Sequence, residues 1–308
     1  MIPRMGLATI GKLIVVMLLW AVCFPLIEAG IASAPHLTFA SLRALLAAAA
    51  LLALAALLGR RFPRDPRVWM LLALTGFGAT SLGFLGMFHA AEFIGPGVAT
   101  VIANAQPLMA AILAHAFLGE RLDARARTGL ALGFAGIVLI ALPRLIEPGA
   151  STYAAGVAYI VLAALGITVS NVLLKRLAGR VDPLVAMGMQ LAFGSLPLVV
   201  AAWLTETPAA VDWSPSFVIV LVALALPGTA LVYWLWFSLL TALALNRANA
   251  FSFLIPIFGL AMGVGLFGES LGGFEIAGVT LTLIGLARVI GSRSENQAAR
   301  PAETHGSV

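Results

Sequence analysis

The sequence contains very little charge and almost no cysteine. Of its 308 residues only 10% are Asp, Glu, Lys or Arg, whereas 61% are apolar. A soluble domain carries about 25% charged residues, so this chain has too little ionic surface to stay dissolved as a compact globule. The single cysteine, Cys23, excludes an internal disulfide. Soluble enzymes, disulfide-stapled secreted domains and nucleic-acid-binding modules are therefore excluded, and no nucleic acid is expected as a partner.

Motifs of catalysis and metal binding are also missing from the sequence. It contains no His-Glu-x-x-His, no Gly-x-Ser-x-Gly and no pair of acidic residues in the middle of an apolar run. An enzyme within a membrane needs a nucleophile with a base, paired aspartates or a metal cluster. We therefore expect no enzymatic activity, no metal site and no cofactor.

Long apolar runs are what the sequence does contain, and its mean hydropathy is +1.05. A helix that crosses a bilayer needs roughly 20 apolar residues, and runs of that length follow one another between short breaks rich in Gly, Pro and charge. The pattern predicts an all-α membrane protein with ten transmembrane helices in a lipid bilayer. The predicted spans are 10–29, 36–58, 68–90, 96–118, 126–143, 153–174, 183–204, 216–240, 248–267 and 273–290.

The basic residues indicate which way these spans point. Sixteen of the 18 Lys and Arg residues fall in the termini and in alternate loops, leaving only Arg144 on the other side and Arg43 inside a span. Because cytoplasmic loops are enriched in Lys and Arg, both termini are predicted to be cytoplasmic.

An internal repeat appears when the sequence is shifted by 149 positions. Pro107 then meets Pro256, Gly119-Glu120 meets Gly268-Glu269, and Gly136 meets Gly285. Five spans in each half reverse the orientation of the second half, as in secondary transporters with inverted repeats. We predict a first repeat over 1–147, a second, inverted repeat over 148–291, and a disordered cytoplasmic tail over 292–308. Gly129-x-x-x-Gly133 and Gly259-x-x-x-Gly263 allow close helix contact, which we expect within one chain, so the protein is predicted to be a monomer.

Three segments resemble a known family. They are "FASLRALLAAAALL" from Phe39, "GVATVIANAQPLMAAILAHAFLGERL" from Gly97 and "RANAFSFLIPIFGLAMGVGLFGESL" from Arg247. They resemble the EamA-type repeats of the drug/metabolite transporter superfamily, and the likeness extends from the first span to the last. Within that superfamily the length and span layout resemble the YddG-type amino-acid exporters. The resemblance implies a ten-helix carrier of the bacterial inner membrane that exports metabolites or amino acids.

Polar and aromatic residues in the middle of spans are the candidates for contact with a small-molecule substrate. A polar side chain is costly in hydrocarbon, so it tends to face the bundle interior or a wet cavity. An interhelical hydrogen bond or ordinary packing is the alternative role for each. The candidates are Trp20, His89, Thr100, Asn104, Asn171, Gln190, Tyr233 and Phe253, with Pro107, Pro256 and Pro227 expected to bend or gate their helices.

Ionisable residues inside the spans bear on coupling and specificity. The spans contain no central Asp or Glu, which favours a facilitator or exchanger of amino acids and similar metabolites over a proton-coupled drug pump. Because aromatic residues such as Trp20 and Tyr233 can stack on flat cations, export of such cations is the alternative function. His89 and, less so, His115 are candidate proton carriers. Arg43 is expected to pair with Glu28 or Glu92, the alternative being a carboxylate-binding role.

Overall fold

The computed structural model describes residues 6–106, 108–109, 112–113, 124–145, 150–207, 210–243, 248 and 250–290, with the side chains of 141–145, 150, 250, 253, 289 and 290 outside the description. Helices dominate these residues, and no strand occurs among them. The prediction of an all-α fold is therefore confirmed.

Each predicted span has a helix at its position in the described residues. Six of these helices are long and apolar enough to cross a membrane, namely Leu7–Ile31, His36–Leu57, Pro66–Ala90, Ser151–Leu177, Pro183–Thr205 and Pro215–Ala242. The total of ten spans stays a prediction. The bounds are α1 Leu7–Ile31, α2 His36–Leu57, α3 Pro66–Ala90, α4 Pro96–Ala103, α5 Ala124–Leu145, α6 Ala150–Leu177, α7 Pro183–Thr205, α8 Pro215–Ala242, α9 Leu254–Phe267 and α10 Gly273–Ile290.

The same local signal starts three of these helices. Asp65, Asp182 and Ser214 occupy the N-caps of α3, α7 and α8, and each side chain accepts a hydrogen bond from a backbone N–H of the first turn. A proline follows each cap, where its missing N–H removes nothing that the helix uses. The polar residue followed by proline therefore fixes where these helices begin.

Helices α3 and α8 share an irregularity at equivalent positions. Each runs as an α-helix for 11 residues and then widens into a π-helical segment, Phe77–Leu82 in α3 and Leu226–Leu231 in α8. The two segments lie 149 positions apart, the offset that the sequence repeat gives. Pro227 removes a backbone donor from the second segment, whereas the first segment contains no proline. The bend or gating role expected of Pro227 stays a prediction.

Three pairs of helices that lie five apart in chain order, α5–α10, α4–α9 and α2–α7, pack antiparallel. In the α5–α10 pair, Gly129 lies next to Gly285 and Gly136 lies next to Gly278. The residue numbers of the two helices therefore run in opposite directions along the contact. The α4–α9 pair is similar, because Thr100 packs on Gly259 while Gly97 lies at Glu269. The α2–α7 pair places Leu37 at Glu206.

Glycines lie at the close points of these helix pairs, among them Gly129 and Gly133 at Gly285, and Gly259 at Thr100. At Gly136 a side-chain carbon would meet the backbone of Gly278 and the side chain of Thr282 on α10. At Gly259 it would meet Thr100 on α4, so only glycine lets these helices approach so closely.

The two ends of the bundle differ in chemistry, and the long sides are apolar. Two ion pairs join the α2–α3 and α6–α7 loops at one end, Arg180–Asp65 at 3.0 Å and Arg60–Asp182 at 3.7 Å. We call this end the basic side, and the opposite end, which carries Glu92 and Glu206, the acidic side. Between them, large apolar side chains such as Leu196 and Ile219 stay 59% and 68% exposed, which suits contact with lipid.

Candidate functional site

A cavity of about 120 Å³ lies in the middle of the bundle, lined by helices of both halves. Its walls come from α1 to α4 and from α6 to α9. Most of the surface is apolar or aromatic, with a few polar groups. Those groups are Arg43, Asn104, Gln106, Thr168, Asn171, Gln190, Tyr233 and Ser252.

An aromatic pair forms one wall of the cavity. The indole rings of Trp20 and Trp236 meet edge to face with their centroids 5.0 Å apart. The indole nitrogen of Trp236 donates to Oδ1 of Asn171 at 3.1 Å, which fixes the ring. The wall therefore offers rigid aromatic surface at little cost in conformational entropy.

Asn104 lies in the cavity wall where α4 ends. It occupies the C-cap, three residues before Pro107, and its side chain is 5% exposed. The amide nitrogen donates to the Thr100 carbonyl at 2.8 Å. Pro107 lacks the N–H that would bond to the Ala103 carbonyl four residues earlier, so the end of α4 at Ala103 follows from the sequence.

Arg43 lines the cavity from α2 and is almost wholly buried, at 1% exposure. Its Nε donates to Oγ1 of Thr229 at 2.7 Å, and its Nη2 lies 3.4 Å from Sγ of Cys23. The guanidinium carbon lies 4.2 Å from the centre of the Phe84 ring. The expected pairing with Glu28 or Glu92 is not what the structure has, because Glu92 lies against His36 instead.

The irregular backbone of α8 makes the Arg43 site possible. Thr229 lies in the π-helical segment and donates its hydroxyl to the Leu224 carbonyl at 2.8 Å, so its oxygen stays available to accept from Arg43. Cys23 donates in turn to the Gly228 carbonyl at 3.2 Å. Both partners of Arg43 are thus held by the widened turn.

A polar cluster closes the acidic side of the bundle. It consists of His36, His89, Glu92 and Glu206, and we call it the acidic-side cluster. Nδ1 of His36 lies 2.6 Å from Glu92 and its Nε2 lies 3.0 Å from Nε2 of His89. The Glu206 carboxylate accepts from the backbone N–H groups of Leu37 and Thr38 at 2.8 and 2.7 Å and so caps α2.

Hydrogen bonds link the two imidazoles of this cluster to their surroundings. Nδ1 of His89 donates to the Leu85 carbonyl at 2.9 Å, because a carbonyl oxygen can only accept. The Nε2 atoms of His36 and His89 share one hydrogen bond, and Nδ1 of His36 shares another with Glu92. The two imidazoles therefore connect Glu92 with the Leu85 carbonyl through one chain of hydrogen bonds.

Buried aromatic rings separate the acidic-side cluster from the cavity. His36, Phe39 and Arg43 follow one another along one face of α2. His36 belongs to the acidic-side cluster, Phe39 to a layer of buried rings, and Arg43 to the cavity wall. The Phe39 ring lies 5.1 Å from the Phe88 ring, and both side chains are fully buried. Several cavity-lining residues lie instead in the half of the bundle towards the basic side, among them Met187 on α7 and Leu174 on α6.

The predicted site residues fall into three groups. Trp20, Asn104, Asn171, Gln190 and Tyr233 line the cavity. His89 lies in the acidic-side cluster, and Thr100 is buried against Gly259 with its hydroxyl donating to the Gly97 carbonyl. The Phe253 side chain, Pro107 and His115 lie outside the description.

Pro256 occupies a different place in its helix from the predicted mid-helix kink. It is the third residue of α9, directly after the 3₁₀ turn Ala250–Phe253. A proline in the first turn of an α-helix removes no hydrogen bond that the helix needs. The change of helix type is therefore found before the proline.

Trp236 is an aromatic cavity residue that the sequence reasoning missed. It follows Tyr233 by three positions, which places both on one face of α8, and this spacing is the signal that could have found it. Met17, three positions before Trp20 on α1, lines the cavity too.

Comparison with known proteins identifies a family. Residues 7–142 and 154–291 each match the EamA-like transporter family. The chain is 28% identical to a probable amino-acid metabolite efflux pump of Salmonella typhimurium, over 89% of this chain and 91% of that protein. It is 26% identical to the uncharacterized transporter YvbV of Bacillus subtilis, over 97% and 95%. A WAT1-related chloroplastic protein of Arabidopsis thaliana is 28% identical over 80% of this chain, which spans only 61% of that protein.

One solved crystal structure has the same fold. It superposes with a TM-score of 0.66 over 94% of this chain and 98% of the other, at 21% sequence identity. At that identity the likeness concerns the fold alone.

Proposed function

This chain belongs to the EamA-like transporter family, and from that premise we propose that it exports small metabolites, amino acids above all, across the bacterial inner membrane. The observation that carries the proposal is the central cavity, which is built from both halves and mixes aromatic walls with a few polar groups. Aromatic amino acids are included because Trp20, Trp236 and Tyr233 line it. The metabolite efflux pumps among the relatives point the same way.

The proposed mechanism is alternating access between two inverted five-helix repeats, residues 1–147 and 148–291. Three observations support it: the π-helical segments 149 positions apart, the antiparallel pairing of corresponding helices, and the two-fold pattern of the Gly129–Gly285 and Gly136–Gly278 contacts. A two-fold axis in the membrane plane that relates the two repeats accounts for these features. Closure at the acidic side, with the cavity extending towards the basic side, corresponds to one of the two access states.

Transport is proposed to be facilitative, in a protein that acts as a monomer. No Asp or Glu is among the residues that line the cavity in the described part of the chain. Without a carboxylate that alternately binds substrate and proton, the halves can exchange orientation without carrying a proton.

The test is counterflow in proteoliposomes that contain the purified chain and are loaded with unlabelled amino acids. Labelled amino acid should enter these vesicles without a pH gradient or a voltage, and protein-free liposomes are the control. Accumulation of a zwitterionic amino acid against its gradient, when only a pH difference is applied, would refute the facilitative mechanism. Absence of flux for every solute of the panel would refute transport.

Export of aromatic cations, coupled to protons, is the second candidate. The Trp20–Trp236 pair favours it, since indole faces attract flat cations. The buried positive charge of Arg43 in the same cavity opposes it. An aromatic amine included in the same liposome panel decides between the two.

A further inference from the structure

The charge of Arg43 is buried without a counter-ion. The side chain is 1% exposed, and in the described part of the chain no carboxylate lies within ion-pair distance of it. Its neighbours are a hydroxyl, a thiol and two phenyl rings. A guanidinium removed from water pays a large desolvation penalty unless a charge of opposite sign compensates it.

One nitrogen of this guanidinium has no hydrogen-bond partner among the described residues. Nε is bonded to Thr229 and Nη2 to Cys23, whereas Nη1 is buried without a hydrogen-bond partner among the described residues. Arg43 also lines the cavity. The planar guanidinium has a set orientation because its Nε is held by a hydrogen bond. Its unpartnered Nη1 can therefore donate in one direction, which suits the oxygen of a carboxylate.

The rest of the cavity carries no group that would compete for this role. Arg43 is the one residue with a permanent charge among the described residues that line it. A single cation balances a singly charged carboxylate, whereas a phosphate dianion would need further donors or a second cation. The charge count therefore favours a carboxylate over a phosphate.

A second unpartnered polar atom belongs to a cavity residue from the other half of the chain. Gln190 lines the cavity at 1% exposure, and its Oε1 has no hydrogen-bond partner among the described residues. An amide oxygen accepts hydrogen bonds and carries no charge. The cavity thus has a cationic donor in one wall and a neutral acceptor in another.

We propose that Arg43 binds the carboxylate of the transported solute, so that the substrates are organic acids and amino acids with a free carboxylate, and not organic cations. The assignment rests on the proposed transport function and names its substrate class. Bound carboxylate supplies the missing counter-charge at Nη1, the aromatic wall takes up the remainder of the molecule, and Gln190 accepts from a donor group of the solute.

Ligand-induced thermal stabilisation of the purified full-length chain tests the assignment. Matched probes differ only in the group that meets Arg43: 3-phenylpropanoate, its neutral amide 3-phenylpropanamide, and the cation phenethylamine, with acetate, 4-methylpentanoate and L-phenylalanine extending the series of acids. Binding to the native state raises the melting temperature with ligand concentration. We expect stabilisation by acids of the series and none by the amide or the amine.

Substitutions of Arg43 test whether this residue is responsible for the binding of the acids. Arg43→Gln should weaken binding of the acids by at least about 30-fold, because removing one partner of a buried charge pair costs at least about 2 kcal/mol. Arg43→Lys keeps the charge without the planar fork and should retain the preference for acids at lower affinity. Arg288→Gln is the matched control, since Arg288 is exposed at the end of α10 and contacts Thr128.

Several results would overturn the assignment. These are stabilisation by the amide equal to that by the acid, no stabilisation by any acid, or unchanged acid binding in Arg43→Gln. If Arg43→Gln does not fold, the acid–amide comparison in the parent chain and in Arg43→Lys still decides. Flux of amides equal to that of acids in the liposomes would refute the Arg43 assignment while leaving transport intact. Acid binding that depends on Arg43 without any flux would refute transport alone.

Discussion

Arg43 and Gln190 occupy the same position in corresponding helices, and both side chains line the central cavity. Each is the eighth residue of its helix, Arg43 in α2 and Gln190 in α7. The two helices pack antiparallel, with Leu37 at Glu206 and Leu52 at Gly188. Their eighth residues thus give the cavity a cation from α2 and a neutral amide from α7.

Replacing Asn104 by Leu should lower transport about tenfold while leaving folding intact. The amide lines the cavity, and losing a buried hydrogen-bonding group costs about 1–3 kcal/mol wherever the substrate uses it. The measurement is amino-acid counterflow in liposomes, normalised to folded protein. Thr75→Val is the control, because Thr75 is equally buried but does not line the cavity. Normal transport by Asn104→Leu would assign Asn104 to packing.

Replacing Trp20 by Ala should reduce transport of aromatic amino acids much more than that of aliphatic ones. Trp20 and Trp236 form the aromatic wall, and stacking of a ring against such a wall contributes about 0.5–1.5 kcal/mol beyond the area that it buries. Competition between labelled phenylalanine and labelled leucine measures the difference. An equal loss for both substrates would indicate that Trp20 acts in packing alone.

Replacing Gly136 by Ala should destabilise the protein by about 1–3 kcal/mol, because the added methyl group meets the Gly278 backbone of α10. The melting temperature in detergent measures the effect. Gly265→Ala is the matched control, since nothing lies within 4 Å of a carbon added there. Equal melting temperatures for the two variants would contradict the close α5–α10 contact.

Breaking the acidic-side cluster should expose the cavity to that side of the membrane. His36→Gln removes the imidazole that contacts Glu92, Glu206 and His89. Cys23, which lines the cavity and is the single cysteine of the chain, reports the change through its rate of labelling by a membrane-impermeant thiol reagent. We expect faster labelling from the acidic side in His36→Gln than in the parent chain. An unchanged rate would mean that the ring layer around Phe39 and Phe88 closes this side by itself.

The orientation of the chain can be tested by cysteine labelling in a Cys23→Ser background. Ser151→Cys lies at the start of α6 on the acidic side, and Arg64→Cys lies in the α2–α3 loop on the basic side. The loop count of Lys and Arg predicts labelling of Ser151→Cys from outside the cell and of Arg64→Cys from the cytoplasm. Labelling of both from one side would end the ten-span topology.

By itself the sequence determined that the described chain is helical, that six of its helices are long and apolar enough to cross a membrane, and where several helices begin. These features depend on local rules, because apolar runs must be helical in lipid and Asp65-Pro66 and Asp182-Pro183 start helices. The spacing of duplicated glycines and prolines over 149 positions predicts the repeat. Trp20, Asn104 and Gln190 could be named as site candidates because a polar or bulky side chain in mid-span needs a reason.

The tertiary structure decided which of these candidates meet. The sequence predicted that Arg43 pairs with Glu28 or Glu92 and that His89 contacts the substrate. In the structure Glu92 contacts His36, and His89 lies in the same cluster. Arg43 donates to Thr229 instead. Partners 186 positions apart in sequence cannot be read from helical periodicity. Periodicity fixes the face of a helix, but which helix lies opposite that face depends on the antiparallel packing of the two halves and on the widened turn of α8.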